Sequence, residues 1–193
     1  MIEIPKYSVP TYDPNSIYEN RRTDFTRRIP ALKPKQLARD SKIAAQIIRA
    51  SEGGTDANAE EKVLDIFMRK AHLLSNPRYW ELMRTVWVAA GTTETAEVFR
   101  RMMRSTRPCR SWFMTPEDAE ALESMEFPLT VYRAYDANLY PDDTDPGISW
   151  TLDKEWCEGY AEAKGRVIKS RKVERKEIFA YVSRRGEEEI IIL

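Results

Sequence analysis

The hydrophobic pattern of this chain changes period once, near residue 126, and that change limits what the chain can fold into. Before it, apolar residues recur at helical spacing; after it, short runs of β-branched and aromatic residues alternate with polar turns. Helices first and strands second predict an α+β arrangement rather than repeating βαβ units. With 193 residues the chain can bury a sizeable core as one domain, or as one domain with a helical extension.

Residues 1–40 contain Pro5, Pro10, Pro14, Pro30 and Pro34. Each removes a backbone donor and restrains its predecessor, so we expect an extended arm with Tyr7, Tyr12, Tyr18 and Phe25 as anchors. A short helix is predicted from about Pro34, through Leu37, Ile43, Ala44, Ile47 and Ile48, with a break at Ser51–Asp56. Residues 41–125 then read as a helical subdomain. Asn58 and Glu61 have capping-box spacing ahead of a stripe of Val63, Leu64, Ile66, Phe67, Ala71 and Leu74. Asn76-Pro77 opens a second helix with Tyr79, Trp80, Met83, Val86, Trp87 and Ala90 on one face and Gly91 as its stop. Tryptophans at that spacing read as core. Thr92 or Thr93 opens a third helix, and Thr115-Pro116-Glu117-Asp118 opens a fourth.

Residues 126–193 form the strand-rich half. Strands are predicted at 129–135, 147–151, 166–169, 177–183 and 187–193, with one helix after Asp153 carrying Trp156, Cys157, Tyr160 and Ala161 on its face. Period two puts Arg133 on the same face as Leu129, Val131 and Tyr135, where a guanidinium needs an anionic partner. Ser149 and Thr151 share a face, with Ile148 and Trp150 opposite. Glu187 and Glu189 share a face of the last strand, just ahead of three isoleucines.

Composition, at 42% hydrophobic and 32% charged, is that of a folded chain, and no apolar run approaches a bilayer span. No basic, then apolar, leader opens the sequence, so a cytoplasmic location is the expectation. Cys109, Cys157 and His72 lack metal-ligand spacing, so no metal is expected. Reduced thiols are expected, with a Cys109–Cys157 disulfide as the alternative. Net charge is zero, but residues 1–50 carry ten Lys/Arg against five Asp/Glu, and residues 115–163 carry two against thirteen. That asymmetry fits either solvated surface with internal pairing, or a basic arm offered to an anionic partner such as nucleic acid.

Taken in order, Val131-Tyr-Arg133-Ala134, Ser149-Trp150-Thr151 and Glu187-Glu188-Glu189 followed by three isoleucines resemble the ADP-ribosyltransferase superfamily, in its Arg-Ser-Glu branch of toxin-like enzymes. Tyr160-Ala161 is similar to the aromatic-Ala pair that this branch carries on the helix after its second motif. The resemblance covers residues 129–193. Chains of phage and bacterial origin that pair such a half with a helical front are a looser likeness, which implies a bacterial cell as the setting, with a bacterial or a phage-encoded protein as the alternatives. What the resemblance implies is a helical N-terminal half packed on an ADP-ribosyltransferase-like split β-sheet. It also implies NAD as substrate and transfer of ADP-ribose to a macromolecular acceptor, protein arginine ahead of nucleic acid. Arg133 would grip a phosphate of NAD, with Ser149, Trp150, Thr151 and Tyr160 around it. Ser149 would orient Glu189, which stabilises the ribose as nicotinamide leaves, and Glu187 would activate the incoming nucleophile. The chain departs from the branch at Trp150, which replaces a small residue, and in its short turn before Glu187. An NAD glycohydrolase on the same site, with water as acceptor, is one variant. A non-catalytic interaction protein of the same fold, binding protein or nucleic acid through the helical half and the arm, is the competing expectation.

Overall fold

The computed structural model describes residues 32–51, 59–141, 144–184 and 187–193, without the side chains of Arg184 and Glu187. The arm over 1–31 and its aromatic anchors, most of the break after Ser51, the Asn58 cap and the Arg185-Gly186 turn lie outside the described residues. Among the described residues, six α-helices precede or interrupt a five-stranded antiparallel sheet.

The helices are α1 (Pro34–Ser51), α2 (Ala59–Lys70), α3 (Asn76–Ala90), α4 (Ala96–Met103) and α5 (Pro116–Ser124), with α6 (Lys154–Lys164) inside the strand-rich half. Residues 34–40, at the end of the expected arm, are thus already helical. The six apolar residues expected on one face of α3 are all buried, and Arg78 and Leu82 on its other side are buried as well. A helix buried over most of its circumference is the centre of its half rather than a surface helix. Trp80 and Phe113 both touch Phe179 in the sheet, with ring centroids 6.2 and 5.1 Å apart. One cluster of buried residues therefore runs from Ile43 and Phe67 through α3 to Phe179, Val182 and Ile191.

Helix α4 begins later than expected. Thr92, Thr93 and Glu94 form a connection in which the Thr95 hydroxyl donates to Ala90 O at 2.8 Å and accepts from Thr92 N at 2.8 Å. Two arginines in and after α4 bond main-chain carbonyls elsewhere: Arg107 donates to the carbonyls of Leu74 and Ala71 and lies 4.5 Å over the Tyr79 ring, and Arg100 donates to Pro146 O at 2.5 Å. Helix α5 starts with the expected cap, Thr115 and Asp118 exchanging side-chain to backbone bonds. Buried Asp118 also accepts from Arg84 and from Ser183 N, which ties α3 and α5 to the sheet.

The strands are β1 (Leu129–Tyr135), β2 (Ser149–Thr151), β3 (Val167–Val173), β4 (Ile178–Arg184) and β5 (Glu187–Ile192), in the spatial order β3-β1-β2-β5-β4. Strand β3 runs four residues beyond its predicted end. It lies at a sheet edge, paired with β1 on one side, so its polar residues meet water and blur the alternation. Helix α3 and its neighbours cover β4 and β5 on one face, while α6 covers β1 on that same face through Cys157 and Ala161 against Tyr132 and Ala134. Helix α5 fills the other face, with Leu122 against Val131, Val173 and Ile190. Cys109 and Cys157 are unbridged, and burial pushes both thiols up from the ordinary value. Among the described residues, no helix is long and apolar enough to cross a membrane.

Candidate active site

Between the two covered parts of the first face, over β2, a cleft of about 440 Å³ remains open. One wall is the end of α3 and the connection Gly91–Glu94, the other is α6 with Trp156, Cys157 and Tyr160, and Ser149 and Glu189 border it from the sheet. The volume is in the usual range for small-molecule sites.

Strand pairing creates the central contact. Ser149 pairs with Ile191 and Thr151 with Glu189, so Ser149 and Glu189 are diagonal neighbours on one face. Ser149 Oγ donates to Glu189 Oε1 at 2.5 Å. The same carboxylate accepts from Trp87 Nε1, 3.2 Å from each oxygen. Glu189 is only 9% exposed, and a carboxylate at that depth needs donors such as these. Its strand neighbour Glu187 opens β5 opposite Arg184, and the Glu187 side chain lies outside the described part of the structure.

Arg133 meets the anionic partner its position calls for, and the partner is internal. Nε donates to Asp145 Oδ2 at 2.5 Å and Nη2 to Oδ1 at 3.2 Å, while Nη1 reaches Ser149 O at 2.7 Å and Nη2 also reaches Thr93 Oγ1 at 3.1 Å. The expected role was a fork presented to a phosphate; here the fork closes on Asp145, whose side chain is fully buried. Burial pushes the Asp145 carboxyl up, but the Arg133 bonds and charge, the Gly147 N–H and Lys169 outweigh it and hold it below the usual range. The guanidinium also anchors β2 by its carbonyl, next to the register pair of Tyr132 with Thr151 that joins β1 to β2.

Gly147 lets this happen. A Cβ there would overlap the Arg133 guanidinium. Gly147→Ala is therefore expected to displace Arg133 and to cost about 1–3 kcal/mol, the usual range for overpacking. A thermal melt checks this, and an unchanged melting temperature would show that the guanidinium gives way without loss.

The remaining expected residues divide. Tyr160 borders the cleft, its ring stacked on Trp156 with centroids 5.3 Å apart and Arg166 5.1 Å over it. Trp156, expected on the buried face of α6, is 40% exposed at the cleft instead. Thr151 borders the cleft and its hydroxyl accepts from Asp153 N at 3.0 Å, at the start of α6. Trp150 also borders the cleft, while its ring packs toward the core on the other face, with Lys169 and Arg171 over it at 5.4 and 5.3 Å. Period two opposes it to Ser149 on β2. At the mouth, bonds from its own backbone and from Thr92 hold the Glu94 carboxyl below the ordinary range, against slight burial, with Arg166 adding to the effect. Among the described residues, no three His, Cys, Asp or Glu side chains gather in a way that could hold a metal ion.

Trp87, Asp145, Thr93 and Gly147 were absent from the predicted site. Two had a signal in the sequence: a buried tryptophan needs a partner for its N–H, and the acidic stretch 136–146 offered counterions for Arg133.

No family model, curated protein or solved structure matches this chain.

Proposed function

We propose that this chain is an NAD-dependent mono-ADP-ribosyltransferase, working through the cleft bordered by Glu189, Ser149 and Arg133 on a sheet of the ADP-ribosyltransferase-like split type. The observation that carries the reading is the 2.5 Å contact from Ser149 Oγ to Glu189 Oε1, made between the two strands that carry the Ser149-Trp150-Thr151 and Glu187-Glu188-Glu189 motifs. A cleft of ligand size beside that contact, with an arginine fixed to the carbonyl of Ser149, supports it further.

The chemistry asks little of an acid. The bond between the ribose C1′ and the nicotinamide nitrogen breaks, and its electron pair leaves with a ring that becomes neutral. What needs stabilising is the positive charge that builds on the ribose, and a fixed carboxylate does this at low reorganisation cost. Glu189 is assigned that work, held by Ser149. The acceptor forms its new bond to C1′ and loses a proton, which Glu187 takes as general base. Protein arginine is the favoured acceptor and nucleic acid the other. The glycohydrolase variant draws support from the two-residue connection between β4 and β5, which leaves little chain there to hold a macromolecule.

Calorimetric titration of the full chain with NAD tests the reading. Saturable binding at one site is expected, with nicotinamide appearing in the cell over time. No binding heat and no nicotinamide would overturn it.

A further inference from the structure

Trp87 lies at an unusual junction. It sits in the last turn of α3, 3% exposed, and its ring meets Phe99 edge-on with centroids 4.9 Å apart. Gly91, which closes the helix, has φ −77° and needs no left-handed backbone. It is placed instead by a close approach: a Cβ there would come within 2.7 Å of Trp87 Cε3 and 2.6 Å of Trp87 O. Phe99 and Gly91 thus pack against the indole, and its N–H is aimed at the Glu189 carboxylate. A core stripe could have been completed by phenylalanine or leucine; the donor is the part that packing does not require.

Resting on the reading above, we infer that Trp87 is a positioning residue, its indole N–H fixing the Glu189 carboxylate so that the helical half completes the site. Ser149 restrains Oε1 from the sheet, and Trp87 spans both oxygens from the helices. A donor bonded to a carboxylate favours its charged form, so losing it moves ionisation to higher pH. It also frees the group to rotate, which lowers turnover more than binding.

The test replaces Trp87 by phenylalanine and, to keep the bicyclic shape, by benzothienylalanine introduced by codon suppression, which lacks only the donor. Both variants are expected to release nicotinamide roughly tenfold more slowly than wild type, with little change in KM. The acidic limb of their kcat–pH profiles should move up. Glu94, Arg133, Cys157, Tyr160 and Arg166 border the same cleft, and Glu187, the assigned base, opens the same strand; all are unchanged in both variants, so a shift of the limb follows from the lost donor. Carboxyl-carbon NMR titration, with Glu189 assigned through Glu189→Gln, reads the same shift without turnover. A Glu189 ionisation that is identical in wild type and the benzothienyl variant would overturn the inference, whatever the activity. If wild type releases no nicotinamide, the functional reading fails, and the carboxyl titration still decides whether Trp87 governs Glu189.

Discussion

Glu189→Gln should lower nicotinamide release by about a hundredfold to a thousandfold, the range found when a fixed electrostatic stabiliser is removed, while leaving the fold and NAD binding in place. Glutamine has nearly the same shape. Its amide oxygen can accept from Trp87, and the Ser149 hydroxyl can turn to donate or accept, so the contacts that hold the side chain survive. What disappears is the negative charge. The two effects separate cleanly in measurement: single-turnover kinetics read the chemical step, while calorimetry with NAD and a thermal melt read binding and stability. A variant that melts well below wild type would make the loss one of folding instead.

Asp145→Asn is expected to cost about 3 kcal/mol of stability, because it leaves the guanidinium of Arg133 without its counterion at a position only 10% exposed. For a chain of this size that is roughly 6–12 °C in melting temperature. The pH dependence identifies the cause. Asp145 titrates below its ordinary value in the folded chain, so the pair stabilises above about pH 4, near the unfolded value, and is lost as pH falls through the lower folded one. The gap in melting temperature between wild type and variant should therefore be full at neutral pH and narrow below about pH 4. A gap constant across that range would mean that the charge of Asp145 is not what matters. Since Arg133 also holds Ser149 by its carbonyl, loss of nicotinamide release should accompany the loss of stability.

The elements that were legible carry their signals locally. Asn76-Pro77 opens α3 and its six-residue stripe is buried, because a helix that must bury a face writes that face at its own period. Arg133 could be known to need an anion, since burial of a charge is costly wherever it occurs. Its partner could not be chosen: Asp136 and Asp145 bracket the same acidic stretch, and it is Asp145 that meets Arg133 while Asp136 accepts from Asn138 N, an outcome of loop path rather than composition. The contact between Ser149 and Glu189 depends on β2 lying beside β5, a non-local pairing across 40 residues that no periodicity encodes. Trp87 shows how a correct reading can stop early. It is core, as its spacing says, yet its N–H reaches a carboxylate 102 residues away. Ring burial was written in the stripe, and the direction of the N–H was not.

The most direct test of the central claim is a time course of nicotinamide release from NAD by the purified full chain, followed by chromatography beside the Glu189→Gln variant. Steady release by wild type with little or none from the variant is the predicted result. Equal release by both, or none by wild type, would contradict the claim that Glu189 and its cleft cleave NAD.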